Sequence, residues 1–245
     1  GGGRGGGGGG EAPAPRWERP IAALLVLSHA VLAWLGRVPG VTHSNDDSVY
    51  VLLAQAIRQF TYRDLYLVDT PFHTQYPPGW PAVLNGLGLL TGDSVTAAFV
   101  LVVLLTSIGL VAFYAGARRV LPPALALLAL AASAWSIALL IPGGRLMSEA
   151  SFFCATMVAL WAASAPDPSR RRVALAMAAA FAAAYFRTVG LALLAALVVL
   201  WALERHWRRA ALLAGITAIG FVPWIAWTIL GPQKVIGRSY GTDLS

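Results

Sequence analysis

The segment Asn45-Asp46-Asp47-Ser48-Val49-Tyr50 sets two adjacent carboxylates at the start of a helical pattern. A carboxylate held near a hydroxyl can take its proton as a general base. The same residues also have an ordinary structural use. Ser44 or Asn45 can cap a helix, and acids in a first turn suit the helix dipole. Val49, Leu53, Ala56 and Phe60 fall on one face of a helix running through Phe60, with Gln55, Arg58 and Gln59 off that stripe. This predicts an amphipathic helix lying on a membrane surface, with the acid pair near the mouth of the spans.

Three further segments bear chemistry. His73-Thr74-Gln75-Tyr76-Pro77-Pro78-Gly79-Trp80-Pro81 joins a histidine to a rigid turn. Its prolines stop one helix, and Pro81 can start the next. Tyr76 and Trp80 suit an interfacial belt. His73 can be a base, a metal ligand or, most commonly for a lone histidine, an exposed loop residue. His43 has the same options. No paired spacing of a metal site appears. In Arg145-Leu146-Met147-Ser148-Glu149, the arginine and glutamate are four apart and would pair on one helix face. In Tyr185-Phe186-Arg187-Thr188-Val189-Gly190, Arg187 is the only charge between Arg172 and Glu204. A guanidinium there can anchor at an interface or bind a phosphate through paired hydrogen bonds.

The frame that must position these residues is a membrane frame. Of 245 residues, 58% are hydrophobic and 12% charged, against roughly 25% charged in soluble domains. So few charges cannot cover a soluble surface, and so much apolar side chain excludes a disordered chain. Continuous Ala- and Leu-rich runs argue against an outer-membrane barrel, whose strands alternate. The net charge of +7 is dispersed in short clusters between apolar runs, so no nucleic-acid surface is expected. The single cysteine, Cys154, lies within an apolar run and permits no intrachain disulfide.

These features predict an all-α, polytopic transmembrane bundle of about seven spans. Residues 1–19 are a Gly-rich tail expected to be disordered. A cleaved signal peptide fits less well, because Val38-Pro39-Gly40-Val41 is a poor cleavage site. Apolar runs cover 20–36, 81–117, 123–141, 149–165, 173–186, 188–203 and 211–230. The polar segment 37–80 is the large first outer loop, with Asp46, Asp47, Asp64 and Asp69. Arg4, Arg16, Arg19, Arg118, Arg119, Arg170, Arg171, Arg172, Arg205, Arg208 and Arg209 make eleven of the 18 basic residues. All fall on one side if 37–80 lies on the other, and the positive-inside rule makes that side cytoplasmic. Parity then makes 81–91 a short interfacial helix and 94–117 a span. It makes 173–203 two short spans meeting at Arg187 on the outer side; one long helix of about 46 Å is the rival. Residues 231–245 begin a second outer loop.

The order of these segments resembles the GT-C superfamily of integral-membrane glycosyltransferases, and most closely its bacterial branch related to protein mannosyltransferases and aminoarabinose transferases. The matching residues are Asp46, Asp47 and Tyr50, the stretch Tyr76 to Pro81, Ser148-Glu149, and Phe186, Arg187 and Gly190. The resemblance covers roughly residues 17–245. It implies a polyprenyl-phosphate-linked sugar donor and a lipid, glycan or protein acceptor on the outer face of a bacterial inner membrane. Asp46 would be the base in an inverting transfer. Arg187 or Arg145, with Arg58 also eligible, would bind the phosphate. Asp47 and Glu149 would orient the acceptor or these arginines, and Tyr50, His73 and Tyr76 complete the substrate-binding set. Some superfamily members use a divalent metal; none is expected here. Members of the family are longer, so the chain is expected to be its N-terminal, seven-span part.

Two other classes compete. A transporter or flippase for a lipid-linked or anionic solute would use the same arginines, but no repeat is found and the charges sit at one end rather than at the midplane. A structural subunit explains the apolar runs but not the gathering of acids, Pro-Pro loop and Arg187 on one side.

Overall fold

A computed structural model describes residues 15–38, 45–65 and 70–230. The Gly-rich stretch through residue 14, Pro39 to Ser44 (with His43), Asp69 and the loop expected at 231–245 lie outside the described residues, as does the side chain of Asn45 and hence the cap expected there.

Among the described residues the fold is all-helical. The helices are α1 (Glu18–Leu35), α2 (Asn45–Arg58), α3 (Gly79–Thr91), α4 (Val95–Ala117), α5 (Pro123–Ala134), α6 (Ile137–Gly143), α7 (Ser148–Ala163), α8 (Arg170–Phe186), α9 (Leu191–Leu203) and α10 (Trp207–Leu230). A 3-10 turn at Thr188–Gly190 joins α8 to α9. α1, α4 and α10 are long and apolar enough to cross a membrane, and the pair α5 and α6, bent by 51°, makes a fourth candidate. α7 and the 188–203 segment are apolar but shorter. Large hydrophobic side chains cover the outside of these helices, among them Leu24, Leu104, Ile108, Val111 and Ile219. A continuous apolar exterior of this kind is stable against lipid and costly in water.

The helices meet through small residues. α7 and α8 pack Ala159 and Ala162 against Ala176 and Ala180, all fully buried. A Cβ added at Gly109 of α4 would come within 2.6 Å of Phe153 on α7. Small residues let helix backbones approach where no hydrophobic driving force separates helix from solvent. α8 ends where Arg187 takes an extended conformation. Gly190 then sits so close to the backbone of Ala183 and Ala184 that a side chain would collide with it at 2.5 Å. The 173–203 segment is therefore two helices, not one long one.

Three sequence expectations need correction. α2 stops at Arg58, and Phe60 leaves the stripe, fully exposed with a left-handed φ of 54°. The rest of that stripe, Val49, Leu53 and Ala56, is buried inside the protein, and Tyr50 and Ala54 pack with Trp80 and Leu84 of α3. Trp80 is not at an interface either; it is fully buried, donating its indole N–H to the Leu146 carbonyl at 3.0 Å.

Candidate active site

The loop between α2 and α3 is tied down at several points. An isolated antiparallel bridge joins Arg63 to Phe72. Next to it, His73 is buried, with Nδ1 2.5 Å from Asp64 Oδ1. The Tyr76 backbone N–H donates to His73 Nε2 at 2.9 Å. An acceptor Nε2 places the ring proton on Nδ1, facing Asp64, so the histidine orders the loop. This corrects the reading of His73 as an exposed loop residue. Tyr62 donates its hydroxyl to the Tyr76 carbonyl at 2.9 Å, and burial raises the Tyr62 phenol well above its ordinary pKa. Trp227 of α10 donates to the His73 carbonyl at 2.9 Å. Gly79, at the start of α3, lies against the backbone carbonyl of Tyr185, where a Cβ would meet the oxygen at 2.5 Å. Only glycine permits that approach, and it docks the Pro-Pro turn on the end of α8.

This frame aims Tyr76 at Asp46. The Tyr76 hydroxyl donates to Asp46 Oδ1 at 2.7 Å, and its ring stacks on His73 and touches Tyr50. Asp46 is partly exposed, whereas its neighbour Asp47 is buried. Tyr50 shares a hydrogen bond of 2.9 Å with Ser148 Oγ at the start of α7. Burial, with further upward pushes from Glu149 and Asp46, raises the Tyr50 phenol to about 12, against lowering by Ser148 and Arg187. Tyr50 thus stays a neutral phenol at physiological pH. Glu149, the second residue of α7, forms an ion pair with Arg187 at the end of α8. Asp46, Asp47, Tyr50, Tyr76, Glu149 and Arg187 therefore come from four separate segments to one end of the bundle, with His73 behind Tyr76.

Arg58 lies apart from the cluster, and Arg145 makes no ion pair with it among the described residues. Arg58 points to the α3–α4 corner, where it holds Asp93 through two bonds of 2.9 and 2.8 Å and Asn85 through a third. Each partner shifts the other toward its charged form: Asp93 falls and Arg58 rises in pKa. Arg145 does not pair with Glu149. α7 begins only at Ser148, after an extended Met147, so the two residues never share a helix face, and Arg187 takes the glutamate instead. The sequence alone does not single out Asp64, Tyr62 or Trp227 as partners of His73. Their link to His73 depends on the return of the loop chain and on α10, neither of which leaves a periodic signal.

Beside the cluster lies a cleft of about 730 Å³. Its walls are largely aromatic: Phe60, Tyr62, Phe72, Tyr185, Trp224 and Trp227. Arg63 is its only charged lining residue among the described ones, with the guanidinium 4.0 Å over the Phe72 ring and bonded to the Thr70 carbonyl. Tyr62 faces this cleft and also holds the Tyr76 backbone, so one layer of loop separates the aromatic cleft from Asp46. Among the described residues no group of three His, Cys, Asp or Glu side chains is arranged to hold a metal ion. Chemically, the site offers a solvent-accessible carboxylate and a guanidinium that is ion-paired yet partly exposed, with an apolar slot on the other side of the Tyr62–Tyr76 loop. The chain matches no protein-family model, no curated protein and no solved structure.

Proposed function

We propose that this chain is the catalytic part of an integral-membrane glycosyltransferase of the GT-C kind, taking a sugar from a polyprenyl-phosphate donor. The observation that carries the reading is the meeting of Asp46, held by Tyr76, with the Glu149–Arg187 pair beside the aromatic cleft. A lipid-linked donor has an apolar chain, a phosphate and a sugar, and these three surroundings suit its three parts. The isoprenoid chain would lie against Trp224, Trp227 and Phe72. The phosphate would bind Arg187, drawing it from Glu149. Asp46 would take the proton of the acceptor hydroxyl as its oxygen attacks the anomeric carbon. The carbon–oxygen bond to the phosphate breaks, its electron pair leaves with the polyprenyl phosphate, and Arg187 stabilises that charge. Attack opposite the leaving group inverts the anomeric centre.

In this proposal the bundle crosses a bacterial inner membrane seven times. α7, α8 and α9 serve as short spans, the N-terminus is cytoplasmic and the site is extracytoplasmic. Acceptors are lipid, glycan or protein hydroxyls on that face. The test uses the chain in proteoliposomes with a radiolabelled polyprenyl-phosphate sugar and membrane lipid extract as acceptor. Transfer by the wild type, lost in Asp46→Asn with membrane insertion unchanged, supports the reading. Equal turnover by Asp46→Asn removes the base. Movement of the labelled lipid across the bilayer without covalent transfer would favour a flippase.

A further inference from the structure

The opposite end of α8 carries a second cleft that the proposed reaction does not use. Arg170 and Arg187 stand at the two ends of α8, separated by roughly 25 Å at 1.5 Å per residue. Around Arg170 is a cleft of about 310 Å³ between the first turns of α8 and α10. Arg170, Arg208 and Arg209 line it together with Val173, Met177 and Leu212. None of the three guanidiniums has a hydrogen bond or ion pair among the described residues. The acids nearest in sequence, Asp167 and Glu204, pair with none of them. Three like charges around one small cleft repel each other, and an anion among them relieves that repulsion. The walls beyond them are apolar, and Leu212 is itself exposed on the outer surface. A soluble anion would leave those walls uncovered, whereas a lipid satisfies both parts.

We propose that this cleft binds an anionic glycerophospholipid. The phosphate sits among Arg170, Arg208 and Arg209, and one acyl chain runs along Val173, Ala174, Met177 and Leu212 between α8 and α10. The same two helices continue to the aromatic cleft at the other end, where Tyr185 of α8 bonds the Gly220 carbonyl of α10. A lipid wedged at the start of the pair therefore braces the helices that wall the candidate site. The inference rests on the membrane location of the bundle and not on the glycosyltransferase reading.

Native mass spectrometry of the full chain in detergent tests it, with phosphatidylglycerol, phosphatidylcholine and inorganic phosphate as probes. The wild type should retain phosphatidylglycerol in preference to phosphatidylcholine. Each arginine is worth roughly fivefold toward an anionic lipid, so Arg170→Gln with Arg208→Gln should weaken phosphatidylglycerol retention about twenty-five-fold. Arg171→Gln with Arg205→Gln removes the same charge outside the cleft and should leave retention unchanged. Ala174→Trp fills the apolar wall while sparing the arginines, and should expel the lipid. Equal retention of the two lipids, or equal loss in the two double variants, overturns the proposal. So does displacement of phosphatidylglycerol by inorganic phosphate together with full retention in Ala174→Trp, which would assign the cleft to a soluble anion.

Discussion

Two glycines of α3 allow a paired test of how the Pro-Pro turn is docked. At Gly79 an added Cβ would stand 2.5 Å from the Tyr185 carbonyl oxygen and 2.7 Å from its carbon. These are backbone atoms of α8 and cannot swing aside as a flexible side chain would. Even a close C–H···O contact needs about 3.3 Å, so Gly79→Ala must push α3 and α8 apart by close to 1 Å. Overpacking of this kind costs about 1–3 kcal/mol. The displaced segment also carries Tyr76 and Trp80, and a shift of about 1 Å at a positioning element can cost a hundredfold in rate. Gly86, seven residues along the same helix, has nothing within 4 Å of its added Cβ. There alanine should stabilise by up to about 1 kcal/mol, because glycine is the poorer helix former. The assay is equilibrium unfolding of both variants in one detergent, followed by sugar transfer in proteoliposomes. Opposite signs of the two stability changes, with transfer lost only in Gly79→Ala, are expected. A Gly79→Ala protein as stable and as active as Gly86→Ala would refute the docking of this turn on α8.

Tyr76→Phe removes the neutral donor to Asp46, a bond worth about 1.5–3 kcal/mol to a charged group; the unfolding midpoint should fall by a matching amount and transfer at least tenfold, whereas an unchanged protein in both assays would remove this contact from the site. Arg58→Gln breaks only a solvent-screened pair with Asp93, so the unfolding midpoint should barely move and transfer should persist, whereas a dead enzyme would return Arg58 to the site. The Tyr50 phenol is raised from 10.0 to about 12. Its folded form therefore holds its proton where the unfolded chain has lost it, and stability should decline as pH rises from 10 to about 12. Pre-equilibrated unfolding curves across that range should flatten in Tyr50→Phe, and an unchanged slope would contradict the burial of this phenol. Phe60 is fully exposed at a φ of 54°, a conformation that suits glycine. Phe60→Gly should leave the detergent-solubilised protein at least as stable, as unfolding curves would show.

The parts of the fold that could be read from the sequence are those with a local cause. The break at Arg187 follows from a lone charge followed by a glycine in an otherwise apolar run. The boundary between α3 and α4 follows from Thr91-Gly92-Asp93-Ser94, where Gly92 takes a left-handed φ of 64° and Ser94 caps α4 by accepting from the Ala97 N–H. The start of α2 at the acid pair has a similar origin. The misreadings have two sources, local backbone breaks that the side-chain pattern does not announce and long-range closure. The spacing of Arg145 and Glu149 predicts a pair only if the intervening residues are helical, and the extended Met147 removes that premise. The apolar run 123–141 holds a 51° bend with no proline or glycine at its break, between Ala134 and Ile137, where Ser136 caps α6. His73 is buried because the chain returns past Asp64 and because α10 supplies Trp227. No window of sequence contains both partners.

Of the three carboxylates at the candidate site, Asp47 is buried, and Asp46 and Glu149 differ in a way that bears on which acts as base. Glu149 faces the Arg187 guanidinium directly, and its second oxygen is buried without a hydrogen bond. Asp46 instead accepts from a phenol, which orients it without cancelling its charge. It also lies in the first turn of α2. An anion arriving at Arg187 would compete with Glu149 for the guanidinium and leave Asp46 untouched. In the proposed reaction Asp46 is therefore ready before the donor binds. In that proposal Glu149 holds Arg187 in place until a phosphate takes it, while the Tyr50–Ser148 bond ties the start of α7 to α2.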